Sequence, residues 1–140
     1  MTSSDTDSWK WQLRNQIRTL KQLQQVFPLT EEETEAITVL DDTFRLGITP
    51  YYLSLMDETD PKCPIRRQAI PLLAEETWSP QEVPDPLAEE RDMPVVGITH
   101  RYPNRALLYV THTCAVYCRH CTRRRKVGDA SSHQSKSQLE

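Results

Sequence analysis

A chain of 140 residues is long enough for one small domain and too short for two comfortable ones. With 26% charged and 37% hydrophobic residues, mean hydropathy −0.65 and no apolar window near the ~18 residues of a membrane span, it reads as a soluble protein. The first seven residues hold neither the basic nor the apolar region of a secretory leader. A cytoplasmic location is therefore expected, where four cysteines point to metal or redox chemistry rather than disulfides.

The apolar spacing of Trp9, Leu13, Ile17, Leu20, Leu23 and Phe27 predicts a helix over residues 8–26, stopped by Pro28. Thr30-Glu-Glu-Glu33 is a capping box that opens a second helix, with Ile37, Leu40 and Phe44 on its buried side and Gly47 as terminator. Thr49-Pro50 starts a short third helix over 51–56, and 64–70 offers another turn of helix before Pro71. Nine of the ten prolines fall between 50 and 103, so this stretch is expected to be short helices and extended links, irregular from 78 to 94.

The apolar run Ala106-Leu-Leu-Tyr-Val-Thr111 reads as a strand covered on both faces, as in a parallel sheet. Ser135-Lys-Ser-Gln138 resembles the start of the helix that would follow it. The expected organisation is a helical region over 1–58, a proline-rich extended linker over 59–104, and over 105–140 the beginning of a larger α/β domain. On this reading the chain is part of something larger.

The net charge of −3 hides a polarised distribution. Seven basic residues and no acid lie between 101 and 126, whereas the other 114 residues carry 10 basic and 20 acidic side chains. Such a block suits either a solvated or nucleic-acid-binding face or a pocket for phosphate and carboxylate groups. Directly after the strand comes Cys114-Ala-Val-Tyr-Cys118-Arg-His-Cys121. Three thiolates at these spacings can serve three irons of a [4Fe–4S] cluster and leave the fourth iron open to a small molecule. A structural zinc site is the competing reading, with its fourth ligand from His100, His112 or His120. Cys63, in the proline-rich link, is read as a bystander.

The C-x3-C-x2-C loop after a first barrel strand resembles the radical S-adenosylmethionine superfamily. The segments His100-Arg-Tyr-Pro-Asn-Arg105 and Tyr117-Cys-Arg-His-Cys-Thr-Arg-Arg-Arg125 are similar to the lysine 2,3-aminomutase family, as are Trp9-Lys-Trp-Gln, Ile48-Thr-Pro-Tyr-Tyr and Asp60-Pro-Lys-Cys-Pro-Ile-Arg. This resemblance implies an α/β fold, a partial (β/α)6 TIM-like radical SAM barrel of which the chain would hold the N-terminal third. It implies Cys114, Cys118 and Cys121 as cluster ligands and His120 beside the adenine of S-adenosyl-L-methionine. Arg101, Tyr102 and Arg105 become candidates for the phosphate of pyridoxal 5′-phosphate, and Arg123 for the substrate carboxylate.

The implied activity is isomerisation of an L-α-amino acid, L-lysine in the first place, to its β-amino acid. An external electron donor and a homo-oligomeric parent are implied as partners, with neither nucleic acid nor membrane. Relatives acting on glutamate, arginine or a protein lysine are the alternatives within the family, and a zinc-stabilised interaction module the alternative outside it. The lysine that forms the cofactor imine is expected beyond residue 140, and the 140 residues alone are expected to be inactive.

Overall fold

The computed structural model describes residues 8–41, 43–77 and 79–129; the helix start expected at 135–138 lies outside them. The elements run α1 (Trp9–Arg14), α2 (Leu20–Gln24), α3 (Glu31–Val39), α4 (Pro50–Leu53), α5 (Pro64–Arg67), a 3-10 turn (Leu73–Glu76), β1 (Ile98–Tyr102) and β2 (Arg105–Leu108). None of these helices is long and apolar enough to cross a membrane.

The single helix expected over 8–26 is two short ones. Asn15 ends α1, its side-chain amide donating to the Trp11 carbonyl at 2.9 Å. The main chain of Ile17 then pairs with Ile48 instead of continuing the helix, with N–H···O distances of 2.8 and 3.0 Å. Thr19 opens α2 through a capping box with Gln22, a T-x-x-Q signal the periodicity argument passed over. The apolar stripe remains only in part: Ile17, Leu23 and Phe27 are buried, but Trp9 is 67% exposed.

The Thr30–Glu33 capping box stands where the sequence placed it, with Glu33 N–H donating to Thr30 Oγ1 at 3.1 Å and Thr30 N–H to Glu33 Oε2 at 2.8 Å. The second helix nevertheless ends at Val39, well before Gly47. Phe44 is buried from beyond the helix. Pro50 leads α4 as expected.

The core gathers Ile17, Leu23, Phe27, Ile37, Ile48 and Met56 from the first 58 residues, and Ala69 and Ile70 from the proline-rich stretch. Those two strands of sequence are joined by a buried ion pair. Arg66 lies over the Phe27 ring at 4.8 Å and donates to both carboxylate oxygens of Glu33, at 2.7 and 2.6 Å. Burial pushes the Glu33 carboxyl up, but the Arg66 hydrogen bonds, the Thr30 N–H and the guanidinium charge together hold it below its ordinary value of 4.5. Its contribution to stability is therefore present above that value and lost as pH falls through the depressed one. Asp57, Asp85, Glu89 and Asp92 are depressed as well. We expect unfolding monitored by far-UV circular dichroism to show flat stability from neutral pH to about 5 and a decline below about 4. A protein more stable at acidic than at neutral pH would contradict this network.

The expected parallel strand over 106–111 is corrected in kind, length and burial. β2 stops at Leu108 and pairs antiparallel with β1 in a two-stranded hairpin, with Ile98 opposite Leu108 and Tyr102 opposite Arg105. All four of its residues are exposed. A lone parallel strand would leave its backbone groups unpaired, whereas a two-residue connection at Pro103-Asn104 brings a local antiparallel partner at little entropic cost. At the coarse level helix and strand are mixed, as read from the sequence.

Candidate functional site

The cysteine loop is held by main-chain bonds. Ile48, already paired with Ile17, also bridges to Val116; Thr49 N–H donates to the Ala115 carbonyl at 3.1 Å and Tyr117 N–H to that of Gly47 at 2.8 Å. The buried Gln16 amide donates to the carbonyls of Cys114 and Ala115 at 2.9 and 3.1 Å. A ladder of three segments, at Ile17, Ile48 and Val116, thus carries the loop on the core. Tyr117 packs so closely on Gly47 and Gly128 that a Cβ at either would lie 2.6 or 2.5 Å from the ring, and Gly128 also has φ +74°. Gly47 serves as this seat and not as a helix terminator.

All four cysteines are free thiols; Cys63 is buried, Cys114 exposed, and Cys118 and Cys121 intermediate. Desolvation pushes the Cys114 and Cys118 thiols up, and the charge of Cys121 pushes both further. Among the described residues no three His, Cys, Asp or Glu side chains are drawn together at metal-binding geometry. The donor set still fits a soft or borderline metal in kind: three thiols on one loop, whose mutual repulsion as thiolates a cation would relieve. His120 is exposed on the same loop, while His112 is buried against the Tyr109 ring at 5.4 Å.

Beside the loop, a cavity of about 320 Å³ is lined by Glu89, Thr99, Arg101, Tyr102, Arg105, Ala106, Leu107 and Arg123. The four residues proposed from the sequence for phosphate and carboxylate, Arg101, Tyr102, Arg105 and Arg123, all line it. The hairpin supplies the first three, and the turn after Cys121 supplies Arg123. The Arg105 guanidinium stacks on the Tyr102 ring at 4.4 Å. Arg123 donates through Nε and Nη2 to Glu89, at 3.0 and 2.6 Å. The Arg123 hydrogen bonds hold the Glu89 carboxyl below its ordinary value, and the same contacts raise Arg123.

The basic block does not stand bare. Arg119 pairs with Glu75 (2.7 Å), Arg124 with Glu82 (3.9 Å), Arg125 with Asp85 and Glu90 (3.2 and 3.0 Å) and Lys126 with Glu90 (3.7 Å). Arg123 pairs with Glu89 (2.6 Å) and Arg101 with Asp92 (2.7 Å). The acidic, proline-rich segment over 75–92 therefore lies along the cations, and Arg105 alone among the seven has no carboxylate partner among the described residues. Sequence reasoning missed Gln16, Glu89 and Asp92. A signal was available: a segment with seven acids precedes one with seven cations.

No family model matches the chain. Among curated proteins, the L-lysine 2,3-aminomutase of Acetoanaerobium sticklandii is 47% identical over 140 residues, 100% of this chain and 34% of that protein. That of Clostridium subterminale is 48% identical over 130 residues, 93% of this chain and 31% of that protein. The glutamate 2,3-aminomutase of Clostridioides difficile is 44% identical over 136 residues, 97% and 32% respectively. The chain spans about a third of the length of the curated relatives it matches. With its thiol loop and cationic hairpin inside the matched region, the chain belongs to the lysine 2,3-aminomutase family, as a homologous segment of it.

Proposed function

We propose that these residues form the cluster-binding and anion-binding part of a radical S-adenosylmethionine 2,3-aminomutase, built on a partial (β/α)6 barrel and acting in the cytoplasm on an L-α-amino acid, lysine first. The observation that carries this is the match to L-lysine 2,3-aminomutase over all of this chain and about a third of that protein, taken with three free thiols on one core-anchored loop. Cys114, Cys118 and Cys121 would hold a [4Fe–4S] cluster open at one iron for S-adenosylmethionine, a group that supplies one-electron chemistry when bound. His120 lies on the same loop and is assigned to the adenine.

The hairpin's Arg101, Tyr102 and Arg105 are assigned to the phosphate of pyridoxal phosphate, since arginine forks match its oxygens. Arg123 is assigned to the substrate carboxylate, with Glu89 fixing its Nε and Nη2. An external donor supplies the electron. Cys114 is exposed, so water and oxygen reach the loop. The 140-residue polypeptide alone is accordingly expected to form no β-lysine in an anaerobic assay.

Anaerobic reconstitution with iron and sulfide tests the reading. The chain should take up about four irons and absorb broadly at about 400 nm. Cys114→Ser, Cys118→Ser and Cys121→Ser should each remove most of that band, and Cys63→Ala should leave it. One tightly held zinc and no band would sink the proposal in favour of a zinc-stabilised module.

A further inference from the structure

Six of the seven cations in the basic block are paired with carboxylates from the chain's own 75–92 segment. The pairs differ in how readily they open. Glu89 is 5% exposed and meets Arg123 through two nitrogens. Opening that pair strands a buried charge, which is costly.

Asp92 meets Arg101 through Nε alone, at 2.7 Å, and shares its carboxylate with the exposed Arg91. The Arg101 side chain is 35% exposed, so this pair is of the weak, solvent-screened kind. It is still no chance meeting, because His100 N–H donates to the Asp92 carbonyl at 2.7 Å and holds Asp92 across from the neighbouring Arg101. Arg101 and the unpaired Arg105 line the same cavity.

We propose that Asp92 is an internal competitor for the cationic cavity: it occupies Arg101 at rest, and an entering anion takes Arg101 by displacing it while Arg123 stays on Glu89. The proposal rests on the reading of this cavity as an anion site and is independent of the cysteine loop, so iron loading and anion binding can fail separately.

Titration calorimetry of the 140-residue chain with methyl phosphate, a dianion at neutral pH, tests it at low ionic strength. Asp92→Asn should tighten binding about fivefold, the scale of one exposed ion pair. Asp92→Glu should stay near the parent. Glu90→Gln, which removes an equal charge from the same segment but from no cavity-lining cation, should change affinity less than twofold. In an Arg101→Gln background, Asp92→Asn should have no effect, a result that a merely structural role or a general charge effect would not give. Unchanged or weaker binding by Asp92→Asn, an equal gain from Glu90→Gln, a gain that persists without Arg101, or no binding by either parent or Asp92→Asn would overturn the proposal.

Discussion

Arg66→Met is expected to cost the chain about 3–5 kcal/mol of stability at neutral pH. Arg66 is 2% exposed, and its five N–H donors all have acceptors: two go to Glu33, one each to the carbonyls of Asp57, Glu58 and Pro28. One side chain therefore ties the start of α3, the turn after α4 and the link before α3. Methionine fills much of the volume but strands the Glu33 carboxylate and three carbonyls. Breaking a buried pair from one side costs about 3–5 kcal/mol, against a total stability of about 5–15 kcal/mol for a native domain. Lysine restores the charge but not the planar fork, so Arg66→Lys should fall between. Urea unfolding followed by far-UV circular dichroism measures this. A midpoint shift worth less than about 1 kcal/mol would show that the pair contributes little beyond its packing.

The second large effect concerns the seat of Tyr117. Gly47→Ala places a methyl 2.6–2.8 Å from three ring carbons, and Gly128→Ala meets the same ring at 2.5–2.7 Å from a left-handed backbone. Overpacking of this sort costs about 1–3 kcal/mol, and the left-handed conformation adds about 1–2 kcal/mol at Gly128. Since Tyr117 N–H is bonded to the Gly47 carbonyl, moving the ring also moves the loop between Cys118 and Cys121. Both variants should lose stability and, on reconstitution, iron. Placing Gly47→Ala in a Tyr117→Ala background should recover most of the alanine's cost, because the clashing ring is gone. A cost unchanged by removing Tyr117 would place the strain elsewhere.

What could be read from the sequence was local. The Thr30–Glu33 capping box and the proline-led α4 stand as read, because each depends on hydrogen bonds or steric limits within a few residues. The helix over 8–26 failed for a complementary reason. Its periodicity was satisfied in part, but the main chain at Ile17 gained a partner in Ile48, some thirty residues away, which no local pattern reveals. The strand error is similar: β2 was sought without β1, although the Tyr102-Pro-Asn-Arg105 turn marks a hairpin.

The same division holds at the site. The sequence by itself determined the chemistry on offer: three thiols at fixed spacing and a block of cations whose arginines suit anions. It also carried the resemblance that the relatives now support as kinship. Only the tertiary structure decided which cations share a cavity and which are already paired. The reason is that a charge is neutralised by whatever lies within a few ångströms, and here the 75–92 segment is folded back along the block. The net charge of −3 is a sum over composition, and it says nothing of this pairing in space.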